Sequence, residues 1–180
     1  TKRFDDYTLE REQDNQEAYL SAGYSAVEAQ LSADGGLTLP QLGQLKQLAQ
    51  QMVEVGKSYN QSGDQSSAQA AFQMVLDLGQ RYGDAANSPT LISHLVGIAI
   101  ESMALSGYDP KMPLGENGQT VQERLDQIKQ DRAAIKQLNQ QASPLMPTLS
   151  DEDVLSYLNR RRSLGETAAL QWVLGKFGQQ

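Results

Sequence analysis

The segment EVGKSYNQSGDQSSAQAAFQMVLDL, residues 54–78, places two small residues and two aromatic residues at regular intervals. Met52, Val55, Gly56 and Tyr59 recur at i, i+3, i+4 and i+7, so on a helix they would share one face. Ala68, Phe72, Val75 and Leu76 recur at i, i+4, i+7 and i+8 and would also share one helical face. The segment therefore predicts two consecutive helices that pack against each other.

The residues between these two runs form a turn signal. Gly63 is suited to end the first helix, and Asp64 is suited to cap the second. We expect Gly56 and Ala68 to let the two backbones approach, with the rings of Tyr59 and Phe72 filling the space beside that contact. The whole segment thus predicts a helix–turn–helix unit.

Residues Ala49 to Tyr82 resemble a tetratricopeptide repeat, a 34-residue helix–turn–helix unit with the pattern W-x2-L-G-x2-Y, A-x3-F and P. The matching residues here are Met52, Val55, Gly56, Tyr59, Ala68 and Phe72. Met52 stands where the family has Trp, and Gln80 stands where it has the terminal Pro. Weaker matches to the same pattern occur around Gly23 and Gly97. They predict degenerate repeats or capping helices on either side of the unit, because about three units are usually needed for stability.

The resemblance implies a non-enzymatic interaction module that binds a peptide or protein in a groove formed by the first helix of each unit. By register, the face opposite the predicted core face carries Val53, Lys57, Asn60 and Gln61. We expect Val53 to give an apolar contact, and the three polar residues to give specificity toward a peptide carboxylate or backbone. A solvated helix surface explains Lys57 and Asn60 equally well.

Good helix formers fill the rest of the chain, and no segment alternates polar and apolar residues as a strand would. The sequence predicts an all-α, tetratricopeptide-like stack of helix hairpins with about seven helices in a single domain, residues 1–180. The repeat-like part spans 7–106, a loop spans 107–118, and helices in 119–180 pack on the first part.

Capping signals give the predicted helix bounds. One helix spans about 8–32, and a Thr38–Gln41 capping box opens the next, which continues to Gln61. Ser88 and Pro89 begin a helix that ends near Ser106. A second box, Thr120–Glu123, begins a long helix that ends near Gln141, and a proline-containing connector covers 142–150. Ser150 caps the next helix, and Ser163 with Glu166 caps the last one.

Composition excludes several classes of function. The chain has 180 residues, a net charge of −7 and no cysteine, so disulfides, thiolate nucleophiles and cysteine-ligated metals are ruled out. An acidic surface repels nucleic acid and anionic lipid, and the RRR run at 160–162 is too small to form a phosphate-binding site. No apolar run is long enough to cross a membrane.

No residues form a convincing catalytic, cofactor or metal site. His94 is the single histidine, and Glu101 lies roughly 10 Å further along the same predicted helix. A structural, partly buried role is therefore favoured for His94. The acidic run Asp151–Asp153 directly follows the Ser150 cap, where negative charge complements the helix dipole. The sequence predicts neither an enzyme nor a cofactor.

Two other functions stay open at this point. The long helix 120–141 and the final helix with Trp172 could mediate self-association, which would make the chain an assembly protein and a homo-oligomer. An enzyme built on carboxylates would require clustered acidic side chains in a pocket. The lack of cysteine, the many glutamines and a first residue other than Met favour an exported, periplasmic bacterial domain over a cytoplasmic one.

Overall fold

The computed structural model describes residues 6–35, 40–84, 90–115 and 118–178, and nearly all of them are helical. Eight α-helices, one 3-10 helix and one short hairpin of two strands occur in these ranges. The elements, in chain order, are α1 Asp6–Ser21, α2 Ala26–Gly35, α3 Pro40–Gln61, α4 Gln65–Gly83, α5 Leu91–Leu105, β1 Pro113–Leu114, β2 Gln119–Thr120, α6 Val121–Ala142, the 3-10 helix Ser143–Thr148, α7 Asp151–Leu164 and α8 Glu166–Phe177. The predicted all-α class is confirmed.

The chain divides into two compact units. One contains α1, α2, the 3-10 helix, α7 and α8, and the other contains α3, α4, α5, the hairpin and α6 up to Gln137. The prediction of one domain over residues 1–180 stays a prediction. The segment that first suggested a helix pair lies entirely within the second unit.

The turn between α3 and α4 has the predicted form. Gly63 has a φ of +85°, a backbone conformation that favours glycine. The Asp64 carboxylate accepts a hydrogen bond of 3.0 Å from the backbone N–H of Ser67 and so caps α4. This backbone hydrogen bond lowers the pKa of the Asp64 carboxyl from its ordinary value. The turn and its cap therefore follow from local sequence alone.

Phe72 is the side chain around which α3 and α4 pack. Its ring is 1% exposed and lies against two glycines, because a Cβ atom on Gly56 or on Gly107 would approach the ring to 2.6 Å or 2.5 Å. Tyr108 adds a tilted ring contact with a centroid separation of 5.6 Å. Phe72 fills the core as predicted, whereas Tyr59 is 42% exposed and does not. The nearest atoms to a Cβ on Gly56 belong to the Phe72 ring, and the expected close approach of Gly56 to Ala68 stays a prediction.

A close backbone approach joins α4 to α5. A Cβ atom on Gly79 would lie 2.5 Å from the backbone nitrogen of Glu101 and 2.9 Å from the carbonyl oxygen of Gly97. A Cβ atom on Gly83 would lie 3.5 Å from the Cα atom of Gly97. A Cβ atom on Gly97 would lie 2.3 Å from the backbone nitrogen of Gly83. The two helices are thus packed backbone to backbone, and no larger residue fits at Gly79 or Gly97 without a shift of the backbone.

The predicted helix 8–32 is wrong in extent, because two helices with a turn between them occupy these residues. Gly23 has a φ of +91° and ends α1. Ser25 and Glu28 then form a capping box for α2: the Ser25 N–H donates to the Glu28 carboxylate at 3.0 Å, and the Glu28 N–H donates to Ser25 Oγ at 3.3 Å. This S-x-x-E signal was present in the sequence.

The other predicted caps have mixed outcomes. Thr120 and Glu123 exchange the expected hydrogen bonds at 2.7 and 3.2 Å, and Ser150 caps α7 through the Asp153 N–H at 3.3 Å. Ser163 is still inside α7, where its hydroxyl donates to the Asn159 carbonyl, so the prediction that it caps the last helix is wrong.

Gly165, with a φ of +88°, directly precedes α8 as its N-cap residue, and it provides no side-chain hydrogen bond to the helix. A glycine can adopt this conformation at no steric cost, which explains why the boundary falls there rather than at Ser163. The predicted Thr38–Gln41 box and the Ser88–Pro89 helix start lie outside the residues whose side chains the structure describes.

Gly79→Ala tests the α4–α5 contact. We expect the substitution to lower the free energy of unfolding by about 1–3 kcal/mol, because the added methyl group meets backbone atoms that cannot rotate away. Urea unfolding followed by circular dichroism measures the change. Gly43→Ala on α3 is the matched control, since nothing lies within 4 Å of its Cβ position; it should gain about 0.5–1 kcal/mol from helix propensity. Equal changes in the free energy of unfolding for Gly79→Ala and Gly43→Ala would contradict the close contact between α4 and α5.

Candidate functional site

The four residues predicted to bind a partner lie on α3, but they do not share one exposed surface. Lys57, Asn60 and Gln61 are exposed, as expected. Val53 is 5% exposed, so its predicted placement on the outer face is wrong. The Lys57 ammonium lies 2.8 Å from the Glu54 carboxylate in an exposed ion pair, an interaction of small net energy.

The error at Val53 comes from the rotation of α3 about its axis. Over residues 42–61, where the structure describes burial, the buried residues of this helix are Leu42, Ala49, Val53 and Gly56. They follow the helical repeat and define a core face that shares only Gly56 with the predicted one. Val53 therefore belongs to the core, and Val55 and Tyr59, which were predicted to be buried, turn outward.

A second apolar stripe runs along α3 beside the core face. We name it the α3 seam, and its members are Leu45, Leu48, Met52, Val55 and Tyr59. Leu48, Val55 and Tyr59 are 49%, 50% and 42% exposed, and the other two are half-buried. Each member lies three or four residues from the next, so neighbouring side chains on the stripe are adjacent on the helix surface.

The spacing of the α3 seam is the alternating three-and-four repeat of a helix that packs along another helix. Single exposed apolar residues are ordinary on protein surfaces, whereas a continuous row of large ones marks an interaction surface. The signal was visible in the sequence, because α3 carries two apolar sets at helical spacing. One hairpin contact covers only one of them.

Lys57 and Gln61 lie on the other side of α3 from the seam. At about 100° per residue, Lys57 is rotated by roughly 160° from the centre of the stripe. A single partner helix lying on the seam cannot also contact Lys57. The predicted polar residues and the apolar seam are thus separate surfaces of the same helix.

A polar cluster that sequence reasoning did not identify links α5 to α6. Glu101 is 2% exposed, and its two carboxylate oxygens accept hydrogen bonds of 2.7 and 2.8 Å from Nε and Nη2 of Arg124. The hydrogen bonds with Glu101 raise the pKa of Arg124. Since Glu101 and Arg124 are 23 residues apart in the chain, no local sequence pattern predicts this pair.

The Glu101–Arg124 pair borders a cavity of about 260 Å³ that is lined by residues of α4, α5 and α6. His94 is at this cavity, and its Nδ1 donates a hydrogen bond to the backbone carbonyl of Gly83. Asp131, also in the lining, accepts a hydrogen bond of 2.9 Å from Gln127. These groups are engaged with one another and with the backbone, which is the arrangement expected of polar residues that support helix packing.

The RRR run and Trp172 have internal partners in the other unit. The Glu12 carboxylate is 3% exposed and lies 3.8 Å from Arg161 and 3.4 Å from Arg162. The Arg160 guanidinium lies 4.4 Å from the centre of the Trp172 ring. These arginines therefore contribute to packing of their own unit.

Comparison with known proteins gives no relative for this chain: no family model, curated protein or solved structure matches it. Within the described ranges, no three His, Cys, Asp or Glu residues are placed to hold a metal ion. The helices in those same ranges are too short or too polar to cross a membrane.

Arg124→Met tests the energetic role of the buried pair. Removing the guanidinium leaves the Glu101 carboxylate buried without its partner, so we expect a loss of about 3 kcal/mol in the free energy of unfolding; partial exposure of Arg124 keeps the cost at the low end for buried pairs. The double variant Arg124→Met with Glu101→Gln should recover a large part of this loss.

Lys129→Met is the control for that experiment, because it breaks an exposed pair with Asp126 at a distance of 2.8 Å on the same helix. We expect a change within about 1 kcal/mol. Urea unfolding of five proteins provides the comparison: the wild type, Arg124→Met, Glu101→Gln, their double variant and Lys129→Met. A double variant as unstable as the sum of its two single variants would show that Glu101 and Arg124 are not energetically coupled.

Proposed function

We propose that this chain is a non-enzymatic protein-interaction module, and that the α3 seam is the surface that contacts its partner. The observation that carries the proposal is the row of large apolar side chains, Leu48, Val55 and Tyr59 among them, exposed on a helix whose other apolar face is already buried. Burial of such a row by a second protein removes apolar surface from water and so favours association.

The shape of the surface favours a protein over a small molecule. The seam runs along about 21 Å of α3 from residue 45 to residue 59, and it lies on the convex outer surface of this single helix. Small-molecule sites are concave and enclose most of the ligand surface. A long, convex apolar row is instead suited to pack against an element of another protein that lies alongside it.

The tetratricopeptide resemblance supports the same general function, because repeats of that family bind proteins through the first helix of the unit. In this chain α3 occupies that position in the unit that resembles the family. Lys57, Asn60 and Gln61 remain candidates for a polar contact on the other side of α3. Val53 is no longer part of the proposed surface, and the exposed members of the seam supply the apolar contact instead.

Site-specific photo-cross-linking in the source cells tests the proposal. We would replace Tyr59 with a photoreactive phenylalanine analogue in one variant and Met74 in another. Met74 is the matched control, since it is an apolar side chain of α4 that is 61% exposed but is not in the seam. We expect a discrete cross-linked protein at position 59 and none at position 74.

Two substitution arms separate the surfaces of α3. With the photoreactive group at position 59, Leu48→Gln combined with Val55→Gln should reduce the cross-linked band at least about tenfold, a loss of roughly 1.4 kcal/mol in binding. Lys57→Glu combined with Asn60→Ala should leave the band unchanged if the seam alone binds. Equal cross-linking at positions 59 and 74, or a band that survives the Gln substitutions, would contradict the proposed surface.

A further inference from the structure

We infer that the occupant of the α3 seam is a single amphipathic α-helix whose flanks beside its apolar stripe are uncharged. This inference rests on the proposed function and names the chemistry of the partner at that surface. It differs from the contact with a peptide carboxylate or backbone that the sequence alone predicted for Lys57, Asn60 and Gln61. Three features of α3 lead to it.

The first feature is the spacing of the seam. Leu45, Leu48, Met52, Val55 and Tyr59 follow the three-and-four alternation with no interruption over two heptads. A helix laid alongside presents its own side chains at the same repeat, so knobs of one helix fit holes of the other. An extended strand, with a side-chain period of two, matches this row at only scattered positions.

The second feature is the backbone of α3. Residues Pro40–Gln61 form one continuous helix, so the backbone groups in its interior already form hydrogen bonds within it. Extended peptides gain much of their affinity by adding main-chain hydrogen bonds to an open sheet edge. The seam presents side chains only, and therefore favours a partner whose backbone is also satisfied internally, which is a helix.

The third feature is the charge beside the seam. The outer flank of the stripe carries Gln44, Gln51 and Ser58, all exposed and uncharged. Glu54 and Lys57, further around the helix, pair with each other. In paired helices, charged residues at the positions that flank the apolar stripe normally determine which partner is bound. Neutral flanks give a charged partner nothing to pair with, so affinity comes from apolar burial and depends little on salt.

The probes for a binding test are two fluorescein-labelled synthetic peptides of about 17 residues with identical composition. The seam peptide places leucines at the three-and-four alternation with Gln, Ser and Ala elsewhere. The scrambled peptide distributes the same leucines around all sides of the helix. Fluorescence anisotropy against the full chain measures both affinities, at about 50 and about 500 mM salt.

We expect the seam peptide to bind at least about tenfold more tightly than the scrambled one, with less than about a threefold change between the two salt concentrations. Val55→Gln with Tyr59→Ser should abolish the preference. Met74→Gln should preserve it, because Met74 belongs to a different surface. This pair of variants assigns the preference to the seam.

Equal binding of the two peptides, or no binding of the seam peptide, would overturn the inference of a helical partner. A fall of affinity by more than tenfold in high salt would overturn the inference of neutral flanks. Neither result decides the proposed function, because cross-linking at position 59 reports on contact with any protein, whatever its conformation. The two proposals therefore fail in distinguishable ways.

Discussion

The close crossing of α4 and α5 at Gly79, Gly83 and Gly97 is the constraint on which the second unit depends. At these positions an added Cβ atom would meet backbone atoms of the opposite helix. Since backbone cannot move aside as a side chain can, the crossing fixes the distance and the register between the two helices. It also brings the carboxylate of Glu101, four residues after Gly97, to the position where it binds Arg124 of α6.

The same packing explains why α3 keeps an uncovered apolar row. The ring of Phe72 lies against Gly56, and α3 contacts both α4 and α5 through the face that carries Ala49 and Val53. A helix held by this face cannot also turn its neighbouring stripe inward. The exposed seam is therefore a consequence of how the unit packs, and our proposal gives it the role of binding a partner helix.

Local chemistry made a large part of the fold predictable from sequence. The Gly63-Asp64 turn, the Thr120–Glu123 box and the Ser150 cap each depend on a few adjacent residues, and each was predicted at the right place. Helix class was predictable because good helix formers fill the chain. The break at Gly23 was missed although a capping box marks it, because the apolar pattern appeared continuous across it.

Long-range features were not predictable in the same way. The rotation of α3, which buries Val53 and exposes Tyr59, depends on which neighbours cover the helix, and a spacing pattern with two apolar sets permits either choice. The Glu101–Arg124 pair joins residues far apart in the chain. The helix crossing joins Gly79 and Gly83 to Gly97 on another helix, and no local spacing predicts which glycines of two helices will meet.

One NMR measurement tests the central crossing most directly: the nuclear Overhauser effect between the Hα protons of Gly83 and those of Gly97 in the assigned chain. These residues are far apart in sequence, and protons show this effect only at short range. A Cβ atom on Gly83 would lie 3.5 Å from the Gly97 Cα atom, so our account predicts a clear Hα–Hα cross-peak. Assigned and well-resolved glycine signals without that cross-peak would show that α4 and α5 do not meet at these residues, which would contradict the account.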